Sequence, residues 1–187
     1  MSETKYSEFT LNFNPRFRRT DEQHPDERGQ PEKKRPTLIG KAMVIDADGT
    51  ATEFEVAAWG PNAARTGGPD YYSGTLNPKD PAWRARQLST TIDGPVRNAI
   101  EGFELKQLGA LRLFERTEAD IQAAKANGKS LPRFYGHGLV LLPSGPRYVD
   151  LSAWYRPEHG FYSGNAPLHD PAAASAARAA KPAAEPA

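Results

Sequence analysis

The chain of 187 residues contains no cysteine. That absence excludes disulfide bridges, thiolate metal sites and thiol nucleophiles at once. It leaves the redox compartment open. Neither charge is in excess: 24 Lys and Arg stand against 23 Asp and Glu, a formal net charge of +1. The global basic excess that announces a nucleic-acid binder is therefore missing. No apolar run approaches the roughly 20 residues of a membrane-spanning helix. The opening stretch MSETKYSEFT lacks the hydrophobic segment of a secretory signal. The expectation is a soluble, cytoplasmic protein with no membrane contact. Turn chemistry is what the chain has in quantity, with 16 glycines and 17 prolines against 38% hydrophobic residues. Such a composition suits small, β-rich units with many turns.

Two segments carry little to bury. Pro171 to Ala187 holds ten alanines and three prolines, so residues 172–187 read as a flexible tail with at most a marginal helix over 172–180. Thr20 to Pro36 is charged, Pro-rich and free of aliphatic residues. It reads as a long exposed loop.

The chain also resembles itself. Gly40 to Trp59 aligns with Gly136 to Trp154, with a second glycine nine residues on in each, Gly49 and Gly145. Phe54–Trp59 matches Val149–Trp154, Tyr71–Gly74 matches Phe161–Gly164, and Asp80–Pro81 matches Asp170–Pro171. Upstream, Phe17–Thr20 is set against Phe114–Thr117. The organisation expected is an N-terminal extension (1–8), a unit over 9–81, a connector over 82–108, and a second unit over 109–171.

Inside each unit the pattern is strand-like. Phe54, Val56 and Ala58 alternate with Glu53, Glu55 and Ala57, the period of two of a half-buried strand. Asp46–Gly49 and Pro143–Pro146 are turn signals. Each unit thus reads as a four- or five-stranded antiparallel meander whose central hairpin ends at a tryptophan. Trp59 and Trp154 are expected to anchor the core. Thr117 as N-cap and Asn127–Gly128 as stop predict a helix over 118–126. In the connector, Asp93–Pro95 resembles a helix start ahead of Val96, Ile100 and Phe103, while Trp83–Ile92 could form a strand. The fold class expected is mainly β (β-rich α+β): two tandem small antiparallel sheet or barrel units related by duplication, with one or two short helices.

Leu113–Phe114–Glu115–Arg116, Leu131–Pro132–Arg133–Phe134–Tyr135–Gly136 and Ser152–Ala153–Trp154 together resemble a family of short uncharacterised proteins carried by bacterial plasmids and phages. That family's pattern is Leu-Phe, a charged loop, Pro-x-Tyr-x-Gly, then an alternating strand ending in Ala-Trp. The first unit keeps Gly40 and Ala57–Ala58–Trp59. The resemblance covers both units but neither the connector nor the tail. It implies a mobile-element setting and no particular activity.

No catalytic pattern is present, and no enzyme is expected. His24, His137, His159 and His169 fit no zinc-binding spacing. His137 follows the second-copy glycine where the first copy has Lys41, and His159 and His169, flanked by Glu158 and Asp170, are conceivable as a His/carboxylate metal site but read as solvated loop residues. No serine has a Gly-x-Ser-x-Gly context, and Arg65–Pro69 is not a phosphate loop. Neither cofactor nor metal is expected.

The remaining class is binding. Small OB-like β-barrels take single-stranded nucleic acid on stacking aromatics and a basic track. The candidates are Arg16, Arg18, Arg19, Lys33, Lys34, Arg35, Arg84 and Arg86, with Tyr71, Tyr72, Tyr148, Phe161 and Tyr162. Neither unit is basic overall, with ten basic against eleven acidic residues over 9–82 and seven against six over 110–171. A nucleic-acid site would therefore be a local patch for single-stranded DNA or RNA. The alternative is a protein-interaction or structural module of a plasmid or phage, binding a host, plasmid or phage protein through strand edges and the mobile loop.

Overall fold

Eight runs of alternating residues form eight strands: β1 (Glu8–Phe13), β2 (Leu38–Ile45), β3 (Ala51–Asn62), β4 (Tyr71–Pro78), β5 (Ala110–Glu115), β6 (Phe134–Leu142), β7 (Gly145–Arg156) and β8 (Phe161–Asn165). The computed structural model describes residues 5–15, 35–65, 67–94, 96, 100 and 102–179. Each strand runs antiparallel to the next, and β8 pairs back onto β1 with Leu11 opposite Tyr162, closing the sheet into a barrel. Among the described residues each strand is paired on both sides over at least part of its length. The two expected units are thus four consecutive strands each of one closed sheet. An OB-fold is a five-stranded, partly open Greek-key barrel; eight strands in sequence order are a different architecture. The expected loop over 20–36 lies largely outside the described residues.

One side chain in two points inward. Phe9, Leu11, Leu38, Val44, Phe54, Val56, Leu76, Leu111, Leu113, Phe134, Val140 and Leu151 fill the interior. Each such side chain contributes about 1.5–3 kcal/mol. Trp59 and Trp154 fall on the other parity, opposite Ser73 and Ser163. They are half-buried on the outer face and are not core anchors. Glycine stands at four inward positions where neighbouring strands press together. A methyl on Gly40 or Gly136 would overlap the carbonyl oxygen of Thr10 or Arg112, and one on Gly74 or Gly164 that of Ala57 or Ser152.

Three short helices complete the fold: α1 (Pro81–Ser89), α2 (Glu118–Ala126) and α3 (Pro171–Ala179). Helix α2 begins where Thr117 accepts from the amide of Asp120, as its cap signal predicts. Helix α1 starts at Asp80–Pro81, with Asp80 accepting from Trp83 N. The connector's helix therefore lies earlier than Asp93–Pro95, and the segment from Trp83 is mostly helical, not a strand. Residues 171–179 of the expected tail are helical.

Helix α1 closes a gap in the sheet. Pairing of β4 with β5 ends at Thr75–Ala110, which leaves the lower ends of β4 and β6 without a strand between them. Gln87, 1% exposed, bridges them: its Nε2 donates to Leu76 O and its Oε1 accepts from Leu141 N. The rest of the connector packs Leu105 and Leu108 on Leu139, Leu141 and Tyr148, covering the outer face of β6 and β7. At the same end the two hairpin turns are latched, with the Asp46 carboxylate accepting from Ser144 N (2.8 Å) and Oγ (2.6 Å).

Candidate nucleic-acid interface and a histidine–carboxylate cluster

The residues singled out for nucleic-acid binding do not come together. Arg16, Arg18, Arg19, Lys33 and Lys34 lie outside the described residues. Arg35 is exposed just ahead of β2. Tyr72 is inside the barrel, its hydroxyl donating to Glu115 at 2.7 Å. Tyr148 is sealed under the connector, its hydroxyl bonded to the backbone of Leu105. Neither ring is available to a ligand. Arg84 pairs with Glu55 and Arg86 lies over Trp83, both on α1. Phe161 stacks on His159, and Tyr162 sits among Phe13, Phe134 and Tyr155. Tyr71 lies in the surface described next, and Tyr162 lines the groove beside it.

That surface is the outer face of β4 to β7, above the connector. Strand register sets Tyr71, Phe114 and Tyr135 directly abreast. All three rings are half-buried. One level down, Ser73, Arg112, His137 and Asp150 form a second row. The Arg112 guanidinium lies 5.0 Å from the centre of the Tyr71 ring and 5.5 Å from that of Phe103. Its buried Nε has no acceptor among the described residues. One level up, Arg116 lies 3.8 Å over Tyr135. Arg133 reaches Glu115 at 3.0 Å and Glu118 at 3.3 Å. The face continues into a groove where Trp154, Tyr155 and Tyr162 meet Lys125, Lys129 and Arg133. Stacked rings beside fixed guanidinium groups offer flat apolar surface and anion-directed donors at adjacent points. The signal for this face was the alternation of Leu111 and Leu113 with Arg112 and Phe114, which commits the latter two to one side.

Beside Arg112 lies a cluster that the reading of lone loop histidines does not anticipate. His137 on β6 faces Asp150 on β7. Past β8 the chain stays on β7: Leu168 pairs with Val149, Asp150 N donates to Pro167 O, and His169 N to Tyr148 O. These bonds bring His169 to the other side of Asp150. Both Nδ1 atoms lie 2.9 Å from Asp150 Oδ1. His169 is 7% exposed and not a solvated loop residue. Its partner is Asp150; His159 is stacked elsewhere. Burial pushes the Asp150 carboxyl up, but the hydrogen bonds and charge of the two histidines outweigh it and hold it below the ordinary aspartate value. Among the described residues the side-chain hydrogen bonds of both rings run to the Asp150 carboxylate.

In comparisons with known proteins, no family model matches this chain, and neither does a curated protein or a solved structure. Among the described residues no helix is long and apolar enough to cross a membrane.

Proposed function

We propose that this is a non-enzymatic binding protein that takes single-stranded nucleic acid on the outer face of β4 to β7. The observation that carries the reading is the row Tyr71–Phe114–Tyr135 beside Arg112, a guanidinium held between two rings. Bases stack on such rings without sequence preference, and the guanidinium meets a phosphate. Arg112, Arg116 and Arg133 meeting about three phosphates would give a shallow salt slope for a single strand, about −2. Fluorescence polarisation of labelled oligo-thymidylate and oligo-uridylate across a salt series measures it. Absence of binding at low salt, or binding indifferent to salt, contradicts the reading.

We also propose that the barrel arose by duplication of a four-stranded unit. The paired glycines Gly40/Gly136 and Gly74/Gly164, and the Asp-Pro start of both α1 and α3, support it. The setting we propose is the cytoplasm of a host carrying a mobile genetic element, on the resemblance in residues 113–154. A protein partner is the second reading, favoured by Tyr155, 53% exposed at the mouth of the groove under α2. It predicts a specific partner retained on the immobilised chain after nuclease treatment.

A further inference from the structure

We infer that His137, Asp150 and His169 form a binding site for a divalent transition metal of the zinc class, with one coordination position left to water or an anion. The three ligand atoms lie within 4.8 Å of one another on three neighbouring strand segments. Both imidazole nitrogens already converge on one carboxylate oxygen at 2.9 Å. A tetrahedral zinc ion holds N and O donors at about 2.0–2.2 Å, hence roughly 3.3 Å apart. To admit the ion, the two nitrogen–oxygen separations open by a few tenths of an ångström and the two nitrogens stand at about the same 3.3 Å from each other. The set of two nitrogens and one oxygen suits zinc better than magnesium or calcium.

The frame is rigid where a site needs rigidity. Asp150 and His169 are held by the ladder bonds to Pro167 and Tyr148, and the His137 ring packs against Phe103 at 5.1 Å. The nearby positive charge, Arg112, is held over the Tyr71 and Phe103 rings. On binding, each neutral imidazole presents Nδ1 to the metal and carries its proton on Nε2, while the carboxylate supplies the negative charge. The first half of the barrel has the same frame with another chemistry. Lys41 faces Glu55 in register, and Lys79 N donates to Glu53 O as His169 N does to Tyr148 O. Lysine ammonium groups cannot ligate, so the site belongs to the second half alone.

The test is calorimetric titration of the tag-free, chelator-treated full chain with zinc chloride, beside the His137→Asn, His169→Asn and His159→Ala variants. Asparagine keeps a donor near the Nδ1 position, so the hydrogen bonds to Asp150 and the fold survive. One zinc per chain is expected. Each asparagine variant should weaken binding by more than about 100-fold, beyond what loss of an outer-shell partner costs. His159→Ala should bind as the parent does. The cobalt complex should show the visible absorption of four-coordinate geometry, and zinc should raise Tm in the parent but not in the asparagine variants. A parent chain that takes up no zinc overturns the inference, as does zinc binding that persists in both asparagine variants. The readout uses no nucleic acid, so it fails or holds separately from the binding reading.

Discussion

The two halves of the barrel present the same outer positions with different residues. Around β1 to β3 the rows read Thr10–Lys41–Glu55 and Asn12–Ile39–Ala57. Around β5 to β7 they read Arg112–His137–Asp150 and Phe114–Tyr135–Ser152. Glu53 and Glu55 of the first half meet Lys79 and Arg84 in exposed ion pairs. The second half is instead capped below by the connector and carries rings, guanidinium groups and imidazoles above it. The lesson is a division of labour: inward residues and glycines maintain one frame, and outward positions in one half are free to acquire chemistry.

The largest expected effects test the frame. Gly40→Ala and Gly136→Ala should each cost more than about 3 kcal/mol, since the methyl meets backbone and not a yielding side chain. Urea denaturation should show the two losses alike; a mild effect in one half would break the equivalence. Next is Gln87→Ala, specific to the β4–β6 gap. It strands a buried carbonyl and a buried amide, for about 2–4 kcal/mol.

The latch between the two hairpin turns predicts a pH effect. Burial raises the Asp46 carboxyl, but the Ser144 bonds, the Ala47 amide and the Arg147 charge together hold it below its ordinary value. A depressed folded value means that the contribution is complete above the ordinary aspartate range and is lost as pH falls through the folded value. Asp46→Asn should lower stability near neutrality by about 2 kcal/mol and flatten this acid dependence, as denaturation at several pH values would reveal. The smallest effect is at Glu53→Gln, where an ion pair exposed on both sides should be worth less than about 0.5 kcal/mol.

Much of the frame was readable from the residues. Period-two alternation located the β2–β3 and β6–β7 hairpins, and Thr117 with Asn127–Gly128 bounded α2 to the residue. Helix α1 was within reach too: Asp80–Pro81 is an N-cap followed by proline, a stronger start than Asp93–Pro95. The tryptophans were misread although Trp59 lies an odd number of positions from Phe54, which by itself sets the two on opposite faces. Closure of the barrel was not legible, because β1–β8 pairing joins the first and last strands and leaves no local mark. Tyr148 shows the same limit: its burial comes from Leu105, 43 residues away. The His137–Asp150 pair follows from hairpin register, but His169 joins it only because the chain stays on β7 beyond Asn165.

Polarisation of oligo-thymidylate with paired variants from the two halves, Tyr135→Ala against Ile39→Ala and Arg112→Ala against Thr10→Ala, tests the division of labour most directly. The expected result is a loss of about tenfold or more from each second-half change, in line with one stacked base or one phosphate contact. The first-half changes should leave affinity within about twofold, the scatter of a surface substitution away from the site. Equal losses from both halves, or binding untouched by all four variants, would contradict the account.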